Sequence, residues 1–281
     1  MNICTIATES CKIDLQIFLF TLTLYNPTPI TVYILCDTFI KNSLAIQNFK
    51  TLTIKLIPDL DRYGKVSRAA FEREPGSNYK TKWEDFMMEK TTVMDKALVE
   101  ASSVFFMDCD ICFLGPLPEI PPSNSLALSP HYIRERDTAR FGIYNAGFLW
   151  TNDKKVPEQW RLASKTSRYY DQAALEDLVP LHTTYLFPQQ TNYGWWRMFQ
   201  APEPAEKKQA EWSIFRDKAP TSGIRVDSLP LLSIHTHWLT SDPTTKLFNR
   251  FVVKRLSLLT KHKKSVTQFL ELLVKDLKIE M

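Results

Sequence analysis

Asp108 and Asp110 stand one residue apart, directly after the apolar run Ser103 to Met107 (SVFFM). Alternate residues of a strand project to the same side, so this spacing predicts two carboxylates approaching one ligand while Cys109 faces away. Two ionised carboxylates held side by side repel, and a hard divalent cation relieves the repulsion. In open α/β sheets ligands bind beyond the carboxyl ends of strands, which is where this pair falls. Solvated turn aspartates are the plainer reading of Asp-x-Asp; the apolar strand in front of the pair favours the cation. Cys109-Asp110-Ile111-Cys112 also spells C-x-x-C. A redox or zinc role would need a helix N-terminus or a second pair, and neither is present.

Periodicity shows what must position these residues. Ile3 to Thr8 reads as a buried strand, Lys12 to Tyr25 as a helix, and Thr31 to Leu35 as a strand ending at Cys36-Asp37. With a third strand over Thr51 to Ile57, this is a βαβ unit with a parallel sheet. Lys82 to Ala101 reads as a long helix, with Trp83, Met87, Lys90, Met94, Ala97 and Ala101 along one face. Lys90 thus lies inside an apolar stripe, either snorkelling or aimed at phosphate at the edge of the core. Further strands are expected at Gly147 to Trp150 and Leu231 to Leu239, and helices at Glu158 to Tyr169 and Gln172 to Leu178. Two amphipathic helices close the chain, the second marked by Val266, Phe269, Leu270, Leu273 and Leu277. The Pro-rich stretches Gly115 to Pro122 and Ala201 to Pro204 read as surface connections, with no linker and no repeat. The expectation is one α/β unit over 1–245 with a helical extension over 246–281 packed on it.

Composition narrows the function. Of 281 residues, 44% are hydrophobic and 12% aromatic, enough for a large core and too many for disorder. The net charge of +4 comes without a basic stripe interleaved with aromatics, which argues against nucleic acid as a partner. Lys261-His262-Lys263-Lys264 reads as a solvated helix end, with an anionic-lipid patch the minority reading. Glu9, Lys12 and Asp14 interrupt any signal-peptide layout, and no apolar stretch reaches the roughly 18 residues of a membrane span. Five cysteines is an odd count, consistent with free thiols in a reducing compartment. Together these features point to a cytoplasmic protein without a transmembrane segment.

Four segments, in order, carry a family resemblance. VFFMDCDICFLGPL resembles the Asp-x-Asp segment of GT-A-fold glycosyltransferases. Tyr144-Asn145-Ala146-Gly147-Phe148 resembles the F/Y-N-[AS]-G segment of the glycogenin-like members, and Asp171-Gln172 their Asp-Gln motif. Ile234-His235-Thr236-His237 resembles their late strand with a metal-binding histidine. The resemblance covers roughly residues 1 to 240 and implies a Rossmann-like, mostly parallel sheet flanked by helices, with the catalytic domain over 1–245. It implies transfer of a sugar from a nucleotide-sugar donor, commonly a UDP-sugar, to a hydroxyl of a glycan or glycoprotein acceptor. A chain of this size without an anchor also resembles the transferases that large algal viruses encode for capsid glycans, some of which use UDP-xylose.

The resemblance further implies a role for each position. Asp108, Asp110 and His235 would hold Mn²⁺ or Mg²⁺ against the donor diphosphate, with His237 the competing histidine on the same strand face. An imidazole beside two carboxylates suits Mn²⁺ better than Mg²⁺. Thr8 and Asp37 would receive the nucleoside, and Lys90 and His237 the phosphates. Asn145, Asp171 and Gln172 would face the sugar and acceptor. Thr8, Asp37 and Asp171 are equally placed to be cap or turn residues. If the reaction inverts the anomeric centre, Asp171 is the first candidate base, ahead of Asp137. Trp195 and Trp196, with Tyr193 and Trp212, offer an acceptor platform for the C–H faces of a pyranose, or else core. Two rivals are a catalytically silent sugar-nucleotide binder and a haloacid-dehalogenase-like phosphatase. The second lacks a later Gly-Asp acidic motif, and Cys112 stands where Thr or Val is usual.

Overall fold

The computed structural model describes residues 1–44, 49–64, 68–216 and 218–279. Its strands are β1 (Asn2–Ala7), β2 (Ile30–Cys36), β3 (Leu52–Pro58), β4 (Val104–Met107), β5 (Ile111–Phe113), β6 (Leu126–Pro130) and β7 (Tyr144–Thr151), followed by β8 (Thr184–Leu186), β9 (Tyr193–Gly194), β10 (Trp212–Ile214), β11 (Ile224–Val226), β12 (Leu229–Pro230) and β13 (Ser233–His235). Seven of them form the central sheet in the order β3-β2-β1-β4-β7-β6-β8. Every neighbouring pair is parallel except the two that involve β7, so β7 alone runs against the sheet.

The central strands are buried on both faces, as their near-continuous apolar runs require. Alternation splits each strand between two cores. Cys4, Ile6, Val104 and Phe106 join the cluster under the helices Lys82–Glu100 and Val156–Ser164. Ile3, Ala7, Phe105 and Met107 join the cluster that receives Leu15, Phe18 and Leu22 from the helix Lys12–Tyr25. A third cluster lies beneath β5, β9 and β13, where the helices Pro243–Ser257 and Lys264–Glu271 contribute Phe248, Val252, Leu256, Val266 and Phe269. The first of these helices begins just before the boundary expected at 245. No helix among the described residues is long and apolar enough to cross a membrane.

Several expected elements change. The late strand shrinks from nine residues to the three of β13: Thr236 N–H still meets Asp110 O, one step past the His235–Ile111 pair, but beyond it the backbone leaves its partners and Trp238 N–H turns to an Asp14 carboxylate oxygen. The helix expected over Glu158 to Tyr169 covers Val156–Ser164, with Pro157 in its first turn. The next helix starts at Tyr170 and tightens into a 3₁₀ stretch, Ala174–Leu181, that contains Pro180. The last helix ends at Glu271 in a wide turn, Leu272–Asp276. Strands β5 and β6 and the small sheet β10-β11-β12 carry no periodic signal in the sequence, since each strand is five residues or fewer.

One packing detail bears directly on the site. Trp160 is fully buried, and its Nε1–H donates to Asp171 O at 2.7 Å. Trp160→Phe keeps most of the ring and strands that carbonyl, so unfolding in urea should show a loss of about 1–3 kcal/mol.

Candidate active site

The edge where β1, β2 and β4 end carries Thr8, Asp37 and Asp108 side by side. Asp108 continues the β4–β7 ladder by one step, its N–H donating to Gly147 O at 2.9 Å. That step draws β7 directly under the acids. A Cβ at Gly147 would collide with Asp108 Oδ2 and His235 Cε1, so glycine is required by close approach. After Asp110 the chain re-enters a strand, and β5 pairs with β13 so that Ile111 faces His235. The pairing delivers His235 Nε2 to 3.0 Å from Asp110 Oδ1 and 3.9 Å from Asp108 Oδ2. One ligand atom from each of the three residues lies within 4.8 Å of the others. Two carboxylates and an imidazole at this spacing fit a divalent transition ion.

His237 approaches from a different direction than expected. It lies past the end of β13, so it shares no strand face with His235; its Nε2 is 3.3 Å from Asp110 Oδ2 and its Nδ1 2.9 Å from Asp14 Oδ2. Its side chain is 62% exposed, against 8% for His235. The carboxylates of Asp110 and Asp14 raise its imidazole well above the ordinary range. Asp14 had no signal in the sequence beyond an acid in a first helical turn.

Lys90 is neither a snorkelling lysine nor a free cation. It is 3% exposed, and its Nζ lies 3.2 Å from Asp108 Oδ1, 2.9 Å from Asp171 Oδ2 and 3.4 Å from Ala146 O. Burial works against its charge, but Asp108 and Asp171 outweigh burial and raise its proton affinity. One lysine does not satisfy every acid around it. Burial, aided by Asp110, raises Asp108 despite Lys90. At Asp110 burial is outweighed by His235 and His237, which hold its carboxyl below the usual range.

Asp171 enters this group because Tyr170 adopts φ +43°, a left-handed conformation costly for a non-glycine residue, and Trp160 pins the next carbonyl. Gln172 donates to Phe141 O at 2.9 Å. Asn145 lies behind the metal-ligand candidates, its Oδ1 accepting from Gly147 N–H and from Asn192 Nδ2. Thr8 keeps its hydroxyl at the sheet edge, paired with Ser10 Oγ at 2.9 Å. Both oxygens of Asp37 take backbone donors, Glu9 N–H at 2.7 Å and Ile40 N–H at 2.8 Å, so it ties the β1 loop to the helix Thr38–Leu44.

Two of the four aromatics expected as an acceptor platform lie elsewhere. Tyr193 and Trp212 are core residues packed with Phe248. Trp196 is 8% exposed, its ring lying over the bare backbone of Gly194 and edge-to-face with His131 and His235 at 5.6 and 5.1 Å. Trp195 packs half-buried against Trp196 and the third core. Cys109 is buried in the sheet core, and all five cysteines are free thiols. A separate cleft of about 730 Å³ opens between Tyr79, Glu89 and Arg161; none of the residues of the acid cluster lines it.

Two substitutions test this geometry. Lys90→Met leaves half-buried Asp108 and buried Asp171 without their cation and should cost on the order of 3 kcal/mol in chemical unfolding near neutral pH. The deficit should shrink as pH falls through the carboxylate range, because protonated acids no longer repel; a pH-independent loss would point to packing. Gly147→Ala must push Asp108 and His235 apart, so Mn²⁺ titrated by calorimetry should bind at least about tenfold more weakly.

No protein-family model and no curated protein matches the chain in sequence. Among solved structures it is similar to the galactosyltransferase LgtC in complex with donor and acceptor sugar analogs. There the identity is 15% and the TM-score 0.53, over 92% of this chain and 96% of that one. The apo glycosyltransferase GlyE of Streptococcus pneumoniae TIGR4 aligns with 15% identity and a TM-score of 0.54, over 94% of this chain and 64% of that one. The apo bifunctional glycosyltransferase WbbM aligns with 10% identity and a TM-score of 0.53, over 92% of this chain and 49% of that one. At these identities the likeness is one of fold, and activity has to be argued from the site. The chain is built on the GT-A fold that these glycosyltransferases share.

Proposed function

We propose that this protein is a metal-dependent glycosyltransferase that moves a sugar from a nucleoside diphosphate sugar to a hydroxyl of a glycan or glycoprotein. The observation that carries the reading is the convergence of Asp108, Asp110 and His235 at the carboxyl edge of the sheet. A divalent cation held there would offset the charge that builds on the departing nucleoside diphosphate. Mn²⁺ is preferred to Mg²⁺ because one of the three donors is an imidazole nitrogen. A uridine diphosphate sugar is the first candidate donor, with UDP-xylose among those to be screened. The likeness to LgtC bound to donor and acceptor sugar analogs supports the substrate class.

The chain's own residues divide the work. Asp108 is the more open acid, its side chain 27% exposed against 10% for Asp110, so the donor meets the cluster from the Asp108 side. Thr8 and Asp37, farther along the same edge, line the direction in which a nucleoside would extend. His237 stands exposed beside Asp110, placed to donate to a phosphate oxygen. Asp171 holds a carboxylate next to the acids but is gripped by Lys90 at 2.9 Å. A carboxylate fixed in that way suits stabilising positive charge at the anomeric carbon better than removing a proton from the acceptor. Gln172 flanks the same space from the sugar side, and Asn145 supports it from behind the metal-ligand candidates.

The test is release of nucleoside diphosphate from a panel of nucleotide sugars, with and without an acceptor mixture. Turnover should need Mn²⁺, vanish in excess EDTA and fall at least about a hundredfold in Asp110→Asn, whose circular dichroism should match the wild type. Donor binding without turnover would make the protein a silent sugar-nucleotide binder. Full activity in metal-free buffer would remove the metal from the mechanism.

A further inference from the structure

Behind His235 a series of side chains connects the candidate metal ligands to β7. Gly147 N–H donates to Asn145 Oδ1 at 3.1 Å. Asn192 Nδ2 donates to the same oxygen at 3.0 Å and to Ser129 Oγ at 3.1 Å. Asn192 Oδ1 faces His235 Nδ1 at 3.2 Å. At the other end Asn145 Nδ2 lies 3.4 Å from His131 Nε2, and His131 Nδ1 lies 3.1 Å from Gly142 O.

In isolation each amide could turn over and each imidazole could take either tautomer. The two backbone groups at the ends cannot change roles. A backbone N–H only donates, so the group Asn145 turns to Gly147 must be its oxygen. Its Nδ2 then faces His131 Nε2, which must accept, leaving His131 Nδ1–H to donate to the Gly142 carbonyl. Both ends therefore demand the same polarity. Burial pushes His131 down to about 3, consistent with a neutral ring that accepts at Nε2. Only an N–H of Asn192 can meet Asn145 Oδ1, so the Asn192 oxygen points at His235.

We infer that Asn192 is a positioning residue that holds His235 Nδ1 as a hydrogen-bond donor, so that Nε2, the nitrogen facing Asp108 and Asp110, is the one available to ligate a cation. The inference rests on the metal-dependent reading above for its purpose, not for its geometry. Asn192 is fully buried, and its backbone carbonyl accepts from Arg197 Nε at 2.9 Å. Arg197, 1% exposed, also donates to Ser129 Oγ at 3.2 Å and to Pro130 O at 2.6 Å, so it ties the Asn192 backbone to the same serine that the Asn192 side-chain amide meets. The Trp196 ring stands edge-to-face against His235 and blocks its rotation. Nothing in the sequence marks Asn192, because its partners lie on β6, β7 and β13.

Asn192→Leu and Asn192→Asp separate this role from bulk stability. Asp presents an oxygen to Nδ1 whichever way it turns and gives up the donor to Asn145 Oδ1 and Ser129 Oγ; Leu gives up both the oxygen and the donor. Free Mn²⁺ followed by electron paramagnetic resonance should show affinity falling about 10- to 100-fold in Asn192→Leu and staying within about threefold of wild type in Asn192→Asp. Imidazole ¹⁵N spectra of the metal-free protein near neutral pH should show a proton on His235 Nδ1 in the wild type and Asn192→Asp, and in Asn192→Leu an Nδ1 that has lost it, with the ring proton kept at Nε2 by Asp110. A wild-type His235 with no proton on Nδ1, or wild-type Mn²⁺ affinity in folded Asn192→Leu, would overturn the inference. If Asn192→Leu does not fold, the spectra of the other two proteins decide. A wild type that binds no Mn²⁺ yet keeps the Nδ1–H ring would sink the metal reading and leave the positioning role standing.

Discussion

Asp108, Asp110 and Asp171 are drawn together, largely out of water, at the carboxyl edge of the sheet, with Lys90 as the fixed cation among them. Removing a carboxylate from water is costly unless it is paired and hydrogen-bonded. Lys90 meets that demand for Asp108 and Asp171 by rising through the core on the helix Lys82–Glu100, its Nζ also over the Phe106 ring. Asp110 is answered separately by His235 and His237. The cluster therefore has two electrostatic halves that meet between Asp108 and Asp110. That seam is where further positive charge is most favoured.

The architecture is arranged to hold that seam rigid. Strand β7, the one reversed strand of the central sheet, runs beneath the acids and supplies both Gly147, which makes room for them, and Asn145, which orients what lies behind. The small sheet β5-β13-β9 brings His235 against Asp110 through a backbone register, so the imidazole's placement does not depend on a flexible loop. Trp160 and Trp196 then brace the two flanks, one through the Asp171 carbonyl and one against the His235 ring. Sites built on strands and braced by buried aromatics keep their geometry better than sites on loops.

Access is asymmetric as a result. Asp110 and His235 are buried, while Asp108 is partly open and His237 projects into solvent. Anything arriving along the sheet edge would meet the exposed Asp108 and His237 first and the buried Asp110 and His235 last. The left-handed turn at Tyr170 keeps Asp171 at the inner wall, with Lys90 preventing it from swinging outward.

Much of this was legible in the sequence. The SVFFM run followed by Asp-x-Asp located the acids, because a buried strand and its carboxyl end leave a local signature. The βαβ opening, the long helix with Lys90 in its apolar stripe and the closing helices were legible for the same reason: periodicity is local. The resemblance of four ordered segments pointed to the fold. Tertiary structure alone decided the rest. Lys90 faces two carboxylates because the helix and two distant segments meet there, and no spacing along the chain reports that. His237 leaves the strand because its imidazole and the N–H of Trp238 after it meet Asp14 instead of a neighbouring strand. Tyr193, Trp196 and Trp212 look alike in sequence to ring platforms in solvent, and only the third core and Gly194 bury them. Asn192 and Arg197 carried no signal, since a hydrogen-bond network between strands is defined by where chain segments converge, and a single sequence records only the order in which they come.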